Sequence, residues 1–416
     1  MSYVKRYADE ELRRRLGHAG AVLITGPKAC GKTETALQAA ASDIRMDADD
    51  QVAALMQFDP RLVLEGETPR LIDEWQEYPR LWNFVRRAVD DRKAEGQFIL
   101  TGSANPDEKT KRHSGAGRFS VMRMRPMSLY ERGWSSGEIR LESLFKATAI
   151  QTAPVESCLD TIAERIIYGG WPSLLDKSLD QAAEFSSDYV SLTAEVDISR
   201  VSEKRRDPEK VRRLMQSIAR NVSTEASLRS LAADVRGGTD SFKEETAADY
   251  VNALERLMIV ENLPAWNAHI RSSATLRSAT KWHFADPSIA CAALGLTAGR
   301  LVDDVETLGM MFESLVIRDL RTYSQTFGAK VRHYRDSSGL EVDAIIENAD
   351  GSWMAAEIKL GAGASDMAAE NLLKLAGRID SDRTPPPSAL VVVTGNGFAH
   401  RRQDGVFVVP LATLRA

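Results

Sequence analysis

The stretch GPKACGKT, residues 26–33, matches the pattern GxxxxGK[ST] and decides the fold around it. It follows the apolar run AVLIT at 21–25 and precedes ETALQAA at 34–40, a composition that favours a helix. A glycine-rich loop between a strand and a helix is the setting of a phosphate-binding P-loop, in which backbone N–H groups face the phosphates. The sequence therefore predicts a site for a nucleoside triphosphate with Mg²⁺.

The residues predicted to contact the nucleotide form one continuous segment. In P-loop proteins the lysine reaches the β- and γ-phosphates, and the following Ser or Thr holds Mg²⁺. These roles fall to Lys32 and Thr33. The full predicted set is Gly26, Pro27, Lys28, Ala29, Cys30, Gly31, Lys32, Thr33 and Glu34.

A second element of the predicted site is RLIDEWQ at 70–76, an apolar strand that ends in two carboxylates. Asp73 suits a partner of the Mg²⁺ ion, and Glu74 suits the group that polarises the attacking water beside the γ-phosphate. The alternative is an ordinary acidic pair where a strand meets a loop. The P-loop upstream favours the catalytic interpretation.

Two further positions are candidates for a catalytic role. The strand FILTGS at 98–103 ends in a polar cluster, in which Ser103 or Asn105 would sense the γ-phosphate. Arg118 suits an arginine finger, in its own chain or in a neighbouring subunit, because a guanidinium stabilises charge on the transferring phosphoryl group. Alternatively, Arg118 pairs with an acidic side chain near the domain junction.

Composition limits the class of protein. The 416 residues are enough for two or three domains, and 54 basic against 59 acidic residues give a net charge of −5. That balance argues against a uniformly basic nucleic-acid coat, although it leaves room for a local basic groove. Three scattered cysteines do not make a disulfide framework or a zinc site. With neither a signal peptide nor an apolar run of about 18 residues, the sequence predicts a soluble cytoplasmic protein without a membrane partner.

The pattern of elements changes along the chain. Strands and helices alternate from about residue 21 to 130, which predicts a parallel sheet with crossover helices. Three helices near 211–221, 228–235 and 244–257 resemble a helix-turn-helix, and a wing would begin at 258–263; a plain helical linker is the alternative. Glu244 and Glu245 open the would-be recognition helix, which argues against DNA contact there. The last part reads αβββαββ, a separate C-terminal α/β domain. The predicted domains are 1–134, 135–207, 208–300 and 301–416.

Taken together, these segments resemble a known family. The motifs that carry the resemblance are the P-loop, LIDE (71–74), LTGS (100–103), GR (117–118), RPMSLYE (125–131), YGGWP (168–172), KWHFADP (281–287) and GLEVD (339–343). Their order is similar to that of the prokaryotic AAA-type ATPases with a C-terminal DUF4143 region. The resemblance implies an α/β protein with a P-loop AAA-type ATPase domain, a middle helical and winged-helix region, and a restriction-endonuclease-like C-terminal α/β domain. It also implies ATP as the nucleotide and, by analogy, a homo-oligomer such as a hexamer.

The C-terminal segment contains a second acidic pattern. In EVDAII, a period of two puts Glu341 and Asp343 on one strand face, and Glu357 and Lys359 of AEIK likewise share a face. If a hairpin through NADG at 348–351 pairs these strands, Asp343, Glu357 and Lys359 converge, and Glu313 of the preceding helix adds a carboxylate. This resembles the PD-(D/E)XK nuclease arrangement, in which carboxylates hold Mg²⁺ and a lysine orients water. Such short patterns also arise by chance, and a domain that does not cut would bind DNA or a protein.

Three functional hypotheses follow from these patterns. The first is a Mg²⁺-dependent ATPase that binds and acts on DNA, duplex or branched, by its structure rather than its sequence. The second is an ATP-gated signalling or scaffold protein whose C-terminal domain binds a protein; the net charge of −5 favours it slightly. The third is an ATP-assisted DNA nuclease.

Overall fold

The computed structural model describes residues 3–47, 50–102, 115–146, 150–200, 206–236, 242–267, 279–380 and 382–416. The chain divides into two compact units. The first comprises Met1–Pro126, Val196–Arg205 and Ala253–Ile259, and the second comprises Met127–Glu195, Arg206–Asn252 and Val260–Ala416. The first unit thus ends its main segment at Pro126, eight residues before the boundary at 134 that the sequence suggests. The finer division into four domains stays a prediction.

The first unit is built on a parallel sheet with the strand order β2-β3-β4-β1-β5. The predicted parallel α/β architecture is therefore confirmed. Its strands are β1 (Ala21–Thr25), β2 (Ser42–Arg45), β3 (Arg70–Asp73), β4 (Phe98–Thr101) and β5 (Phe119–Arg123). Its main helices are α1 (Tyr7–Leu16), α2 (Lys32–Leu37), α3 (Asp50–Phe58) and α4 (Leu81–Arg92).

Two apolar cores cover the faces of this sheet. Every residue of β1 is buried, because successive side chains alternate between the two faces and both faces carry helices. Leu23 packs in one core with Trp82 and Val85 of α4. Val22 packs in the other with Leu12 of α1. The central strands are thereby fixed, and the loops that follow them start from a rigid base.

The helical part of the chain contains the helices that the sequence predicts near 211, 228 and 244. The helices after the first sheet are α5 (Leu141–Leu144), α6 (Leu159–Tyr168), α7 (Leu179–Leu192), α8 (Ile198–Arg200), α9 (Pro208–Arg220), α10 (Leu228–Arg236), α11 (Glu244–Arg256), α12 (Pro287–Leu294) and α13 (Ala298–Asp303). The sequence predicts a turn between the second and third of these helices, at residues 236–240. Arg236 ends α10, and residues 237–240 lie outside the described residues. In the segment proposed as a wing, Val260 and Leu263 form antiparallel bridges with Phe284 and Lys281. The winged helix itself stays a prediction.

The C-terminal part of the second unit contains the predicted order αβββαββ, with one short additional strand between its last two predicted strands. Its helices are α14 (Val305–Thr326) and α15 (Ser365–Arg378), and its strands are β7 (Lys330–Arg335), β8 (Glu341–Glu347), β9 (Trp353–Lys359), β10 (Ala389–Thr394), β11 (His400–Arg401) and β12 (Phe407–Pro410). They form a mixed sheet with the order β11-β12-β10-β9-β8-β7. Strands β8 and β9 pair antiparallel, which confirms the predicted hairpin. A small separate sheet joins β6 (Ile139–Arg140) to β13 (Leu414–Arg415).

A buried ionic network ties the motif segments of the second unit together. Arg318 of α14 donates to Asp286 at 2.7 Å and to Asp319 at 2.7 Å, and all three side chains are at most 3% exposed. The carboxylate of Asp286 also accepts from the Gly170 backbone at 2.9 Å, and that of Asp319 accepts from the Leu129 backbone at 2.9 Å. The YGGWP, KWHFADP and RPMSLYE motifs therefore meet at one buried arginine, so their role here is architectural.

Among the described helices, none combines the length and the apolar character that a membrane crossing requires.

Candidate nucleotide site and a second carboxylate site

The P-loop geometry depends on glycine at two positions. Gly31 has φ of 97°, a left-handed conformation that L side chains rarely adopt. A Cβ on Gly26 would lie 2.3 Å from the carbonyl oxygen of Met124, which is backbone and cannot swing away. These two positions let the loop turn tightly at the end of β1, where the sequence places the nucleotide.

The ammonium of Lys32 lies inside this loop. Its Nζ donates to the carbonyl oxygens of Gly26 at 3.0 Å and Pro27 at 2.8 Å, and the residue is only 6% exposed. Lys28, in the same loop, pairs with Asp197 at 2.5 Å. The loop therefore carries one buried cation directed at its own concave side and a second that is tied to an acidic side chain.

Thr33 and Asp73 are brought into direct contact. The Thr33 hydroxyl donates to the Asp73 carboxylate at 2.9 Å, and the Thr101 hydroxyl donates to the same carboxylate at 2.5 Å. Asp73 and Thr101 are neighbours in register on β3 and β4. A hydroxyl and a carboxylate side by side are oxygen donors of the kind Mg²⁺ takes, so the donor set fits the ion. Thr101 was not singled out from the sequence, although it ends a strand of this sheet as Asp73 does.

Glu74 leaves the strand in an unusual conformation. Its φ is 52°, a left-handed geometry that costs about 1–2 kcal/mol for a residue with a Cβ. The Gln76 amide donates a short hydrogen bond to its carboxylate. A Cβ on Gly102 would lie 2.1 Å from the Gln76 Oε1, so Gly102 leaves room for this amide. Gln76 therefore orients the carboxylate that the sequence assigns to the attacking water, a role that sequence reasoning missed.

Arg118 lies away from the P-loop of its own chain. Its Nε donates to Asp90 of α4 at 2.8 Å, and its carbonyl oxygen accepts from the Ala21 backbone at 3.1 Å. Arg118 therefore lies just before β5, at the end of the sheet where the parallel strands begin. The P-loop follows β1, at the opposite end, where the strands finish. A strand of five residues, with a rise of about 3.3 Å per residue, separates these two ends by roughly 13 Å or more. The pairing with an acidic side chain, which the sequence left open as the alternative to an arginine finger, is present as the contact with Asp90.

The other candidate from this region, Ser103, lies outside the described residues, as does Asn105. A contact that the sequence did not suggest involves Arg6, whose guanidinium donates to the carbonyl oxygens of Cys30 at 3.1 Å and Arg125 at 2.9 Å. Arg6 thus joins the N-terminal segment to the P-loop and to the end of β5. Only long-range contacts define this role, so a local sequence pattern carries no signal for it.

The second carboxylate site forms on the β8–β9 hairpin. Lys359 donates to Glu357 at 2.7 Å and lies 3.6 Å from Asp343, and Asp343 also accepts from the Ile358 backbone at 2.9 Å. The amide of Asn371 on α15 donates to Glu357 at 2.7 Å. The three residues predicted to converge do so.

A lysine that sequence reasoning missed lies in the same cluster. The ammonium of Lys281 lies 2.9 Å from Glu313, 2.7 Å from Glu341 and 3.5 Å from Asp343. Glu313 of α14 therefore joins the cluster as predicted, but through Lys281. The sequence contained one signal for this role. Lys281 belongs to the segment KWHFA, in which polar and apolar residues alternate as in a half-buried strand. A lysine that is buried in such a strand is almost always paired with an acidic side chain.

Burial shifts the protonation of this cluster. Desolvation, with Asp343 nearby, raises the pKa of Glu313 to about 8. Desolvation and Asp343 likewise raise the pKa of Glu357 to about 7. Burial alone would lower the pKa of Lys281, but the surrounding carboxylates, Glu313 first, raise it above its ordinary value. Lys281 is therefore charged at neutral pH.

Comparison with known proteins agrees with this division of sites. Residues 18–132 match an AAA domain family, residues 159–300 match a domain of unknown function, DUF8612, and residues 308–414 match a domain of unknown function, DUF4143. The chain combines an AAA-type P-loop ATPase domain with a C-terminal DUF4143 domain. The DUF8612 match runs across residue 207, where the sequence suggests a boundary.

Similar proteins are known in several organisms. Uncharacterized proteins of Mycobacterium bovis and Mycobacterium tuberculosis are each 25% identical over 349 residues, which is 82% of this chain and 71% of each relative. The Walker-type ATPase of Pyrococcus abyssi is 12% identical, with a TM-score of 0.43, and the match covers 70% of this chain and 96% of that one.

The sites divide among the matched segments. The P-loop, Asp73 and Glu74 lie in the AAA domain. Glu313 and the hairpin carboxylates lie in the DUF4143 domain. Lys281 comes from the DUF8612 segment, so the carboxylate cluster is completed by a residue from outside the DUF4143 domain.

Proposed function

We propose that the AAA domain hydrolyses ATP with Mg²⁺. The observation that carries this proposal is the direct contact of Thr33 with Asp73, 2.9 Å between the hydroxyl and the carboxylate, beside the buried ammonium of Lys32. Thr33 and Asp73 would hold Mg²⁺, which when bound neutralises charge on the phosphates. Lys32 binds the β- and γ-phosphates, and Glu74, oriented by Gln76, takes the proton of the attacking water.

The first test replaces the hydroxyl of Thr33. Thr33→Val keeps the size of the side chain but removes a Mg²⁺ ligand, so we expect roughly tenfold or greater loss of ATP turnover and a higher Mg²⁺ requirement. The measurement is phosphate release as a function of Mg²⁺ concentration. Thr35→Val is the matched control, because Thr35 lies on the same helix with its hydroxyl 2.9 Å from Tyr3. Equal turnover in the two variants would contradict the assignment of Thr33.

The proposal extends to DNA as the partner on which the ATPase acts. Two features support it. One is the succession of helices α9, α10 and α11 followed by the bridged segment at Val260–Leu263, and the other is the order αβββαβββ of the C-terminal domain. Recognition would depend on duplex or branched structure rather than on base sequence. A homo-oligomer, a hexamer by analogy, would let Arg118 act on the nucleotide of a neighbouring subunit. Its exposed position is compatible with that role.

DNA binding is tested by its salt dependence. Each phosphate contact contributes about 0.9 to the slope of log affinity against log salt, so four contacts predict a roughly hundredfold weaker affinity at 200 mM than at 50 mM salt. The measurement is fluorescence anisotropy with duplex, forked and four-way-junction DNA, with and without ATP. Failure to bind any of these at low salt would remove DNA as the partner.

That failure would favour a second candidate, an ATP-gated scaffold whose C-terminal domain binds a protein. One observation supports this alternative. Glu244 and Glu245 are both exposed at the start of α11, where a recognition helix would enter the major groove between the two phosphate backbones. Carboxylates at that position repel DNA and suit a basic protein surface.

A further inference from the structure

Lys281 is held rigidly within the carboxylate cluster. Its backbone N–H donates to Leu263 at 3.0 Å, and its carbonyl oxygen accepts from Leu263 at 2.9 Å. The residue is 1% exposed. The backbone of Lys281 is therefore held by the antiparallel bridge to Leu263. Its ammonium is held by Glu313, Glu341 and Asp343.

The arrangement does not fit the Mg²⁺ ion that the nuclease-like pattern implies. Such an ion is bound through one or two carboxylates whose oxygens are open to it. Here the oxygens of Glu313, Glu341 and Asp343 converge on the Lys281 nitrogen, and Lys359 takes the remaining contacts with Glu357 and Asp343. Within the described part of the chain, no group of three or more His, Cys, Asp or Glu side chains is placed to hold a metal.

We propose that the Lys281 ammonium is the resident cation of this cluster and excludes a divalent metal from the carboxylates of Glu313, Glu341 and Asp343. A divalent ion at these oxygens would lie within a few ångströms of the positive charge of Lys281, whose side chain is only 2% exposed, and like charges at that distance repel. The cluster is then a metal-free structural junction between the DUF8612 segment and the DUF4143 domain. Metal-dependent cutting of DNA at this site does not take place in this arrangement.

The first experiment compares the wild-type cluster with a broken one. Mn²⁺ binding is measured by electron paramagnetic resonance on nucleotide-free full-length protein that carries Asp73→Asn, so that the P-loop site does not contribute. Addition of Asp343→Asn is expected to leave the number and affinity of bound Mn²⁺ ions unchanged. Loss of a bound Mn²⁺ ion on adding Asp343→Asn would overturn the proposal. The proposed ATPase activity stands or falls independently, since it does not involve these residues.

The second experiment removes the resident cation. In the same background, Lys281→Met keeps an unbranched side chain but removes the ammonium from Glu313, Glu341 and Asp343, so we expect a new Mn²⁺ site at least tenfold tighter than any in the parent. Asp343→Asn should abolish that site. Mn²⁺ should also raise the melting temperature of Lys281→Met and not that of the parent. Lys330→Met, which changes an exposed lysine on β7, is the matched control.

Two results would contradict the exclusion of a divalent metal by Lys281. A folded Lys281→Met protein that gains no Mn²⁺ site would contradict the claim that the ammonium excludes the metal. Cleavage of DNA by the wild-type protein with Mg²⁺ or Mn²⁺, lost in Asp343→Ala, would overturn it directly. If Lys281→Met does not fold, the double variant Lys281→Met/Glu313→Gln, which removes one of the buried acidic groups left without a cation, takes its place. Glu341 and Asp343 then remain, and a gain of Mn²⁺ binding is again expected.

Discussion

Glu74→Gln is expected to lower ATP turnover by about 10²- to 10⁴-fold while leaving ATP affinity within about twofold, because a positioned general base contributes that much to the rate. Glutamine keeps the shape of the side chain and its contact with Gln76, but its amide accepts no proton from water. The P-loop, Lys32 and the Thr33–Asp73 contact are unchanged, so binding persists. Single-turnover phosphate release and equilibrium binding of a fluorescent ATP analogue measure the two quantities separately.

Two further variants make this result specific. Lys32→Ala should lose binding and turnover together, since it removes the cation that reaches the phosphates. Glu77→Gln changes an exposed glutamate three residues further along and should behave as wild type. If Glu74→Gln retained most of the turnover, or lost binding as Lys32→Ala does, Glu74 would not be the base. A neighbouring acid or water network would then carry that role.

The parts of the fold that follow from local pattern were predicted well. Strands β1, β3 and β4 are buried on both faces and read as short apolar runs between turn residues. Strand β2 was missed because its side chains are exposed or half-buried, as expected of an edge strand with Asp43 and Arg45 in four residues. A strand at the edge has too little buried surface to leave an apolar signal.

The placement of Arg118 illustrates an inference that topology corrects. Its residue type suits an arginine finger, but it stands before β5, whereas the P-loop stands after β1, and the two strands are parallel. In a parallel sheet, the start of one strand and the end of its neighbour lie at opposite ends of the strands. The strand assignments made from the sequence already contain this information. The chemistry of the arginine side chain pointed to Arg118, but the direction of the strands does not favour that position within one chain.

Lys281 illustrates a contact that the sequence does not predict even after the strands are assigned. The strand pattern places Glu341, Asp343 and Glu357 near one another because they belong to one hairpin. Lys281 approaches from a segment about 60 residues earlier in the chain, and no local periodicity relates the two. Contacts of this kind depend on packing between distant segments, which single-sequence reasoning does not reach.

The motifs that carry the family resemblance have, in the second unit, a structural explanation. Asp286 is the N-cap of helix α12 and accepts from the Ser288 backbone at 3.0 Å. It also pairs with Arg318 and accepts from the Gly170 backbone. A Cβ on Gly169 would lie 2.6 Å from the Asp286 Oδ1, so the neighbouring glycine is required as well. One carboxylate therefore satisfies a helix end, a buried arginine and a turn.

Asp286→Ala is accordingly expected to cost about 4 kcal/mol of stability, since removing one partner of a buried ion pair typically costs 3–5 kcal/mol and the lost helix cap adds to it. Among the described residues, Arg318 would keep only Asp319 as a carboxylate partner while remaining buried, and the Gly170 N–H would lose its acceptor. Urea unfolding followed by circular dichroism gives the global loss. Hydrogen exchange at the Gly170 amide gives the local loss, which should appear even where the two units unfold separately.

Asp304→Ala separates the buried ion pair from the cap. Asp304 also caps a helix, accepting from the Thr307 backbone at 3.1 Å, but it is exposed and an arginine is not among its hydrogen-bond partners in the described structure. Loss of a cap alone costs about 1 kcal/mol, so the two variants should differ by roughly 3 kcal/mol. Equal destabilisation would mean that Arg318 finds sufficient compensation from Asp319. The meeting of the three motifs at Asp286 would then contribute little beyond a helix cap, and their role would have to be sought in binding rather than in folding.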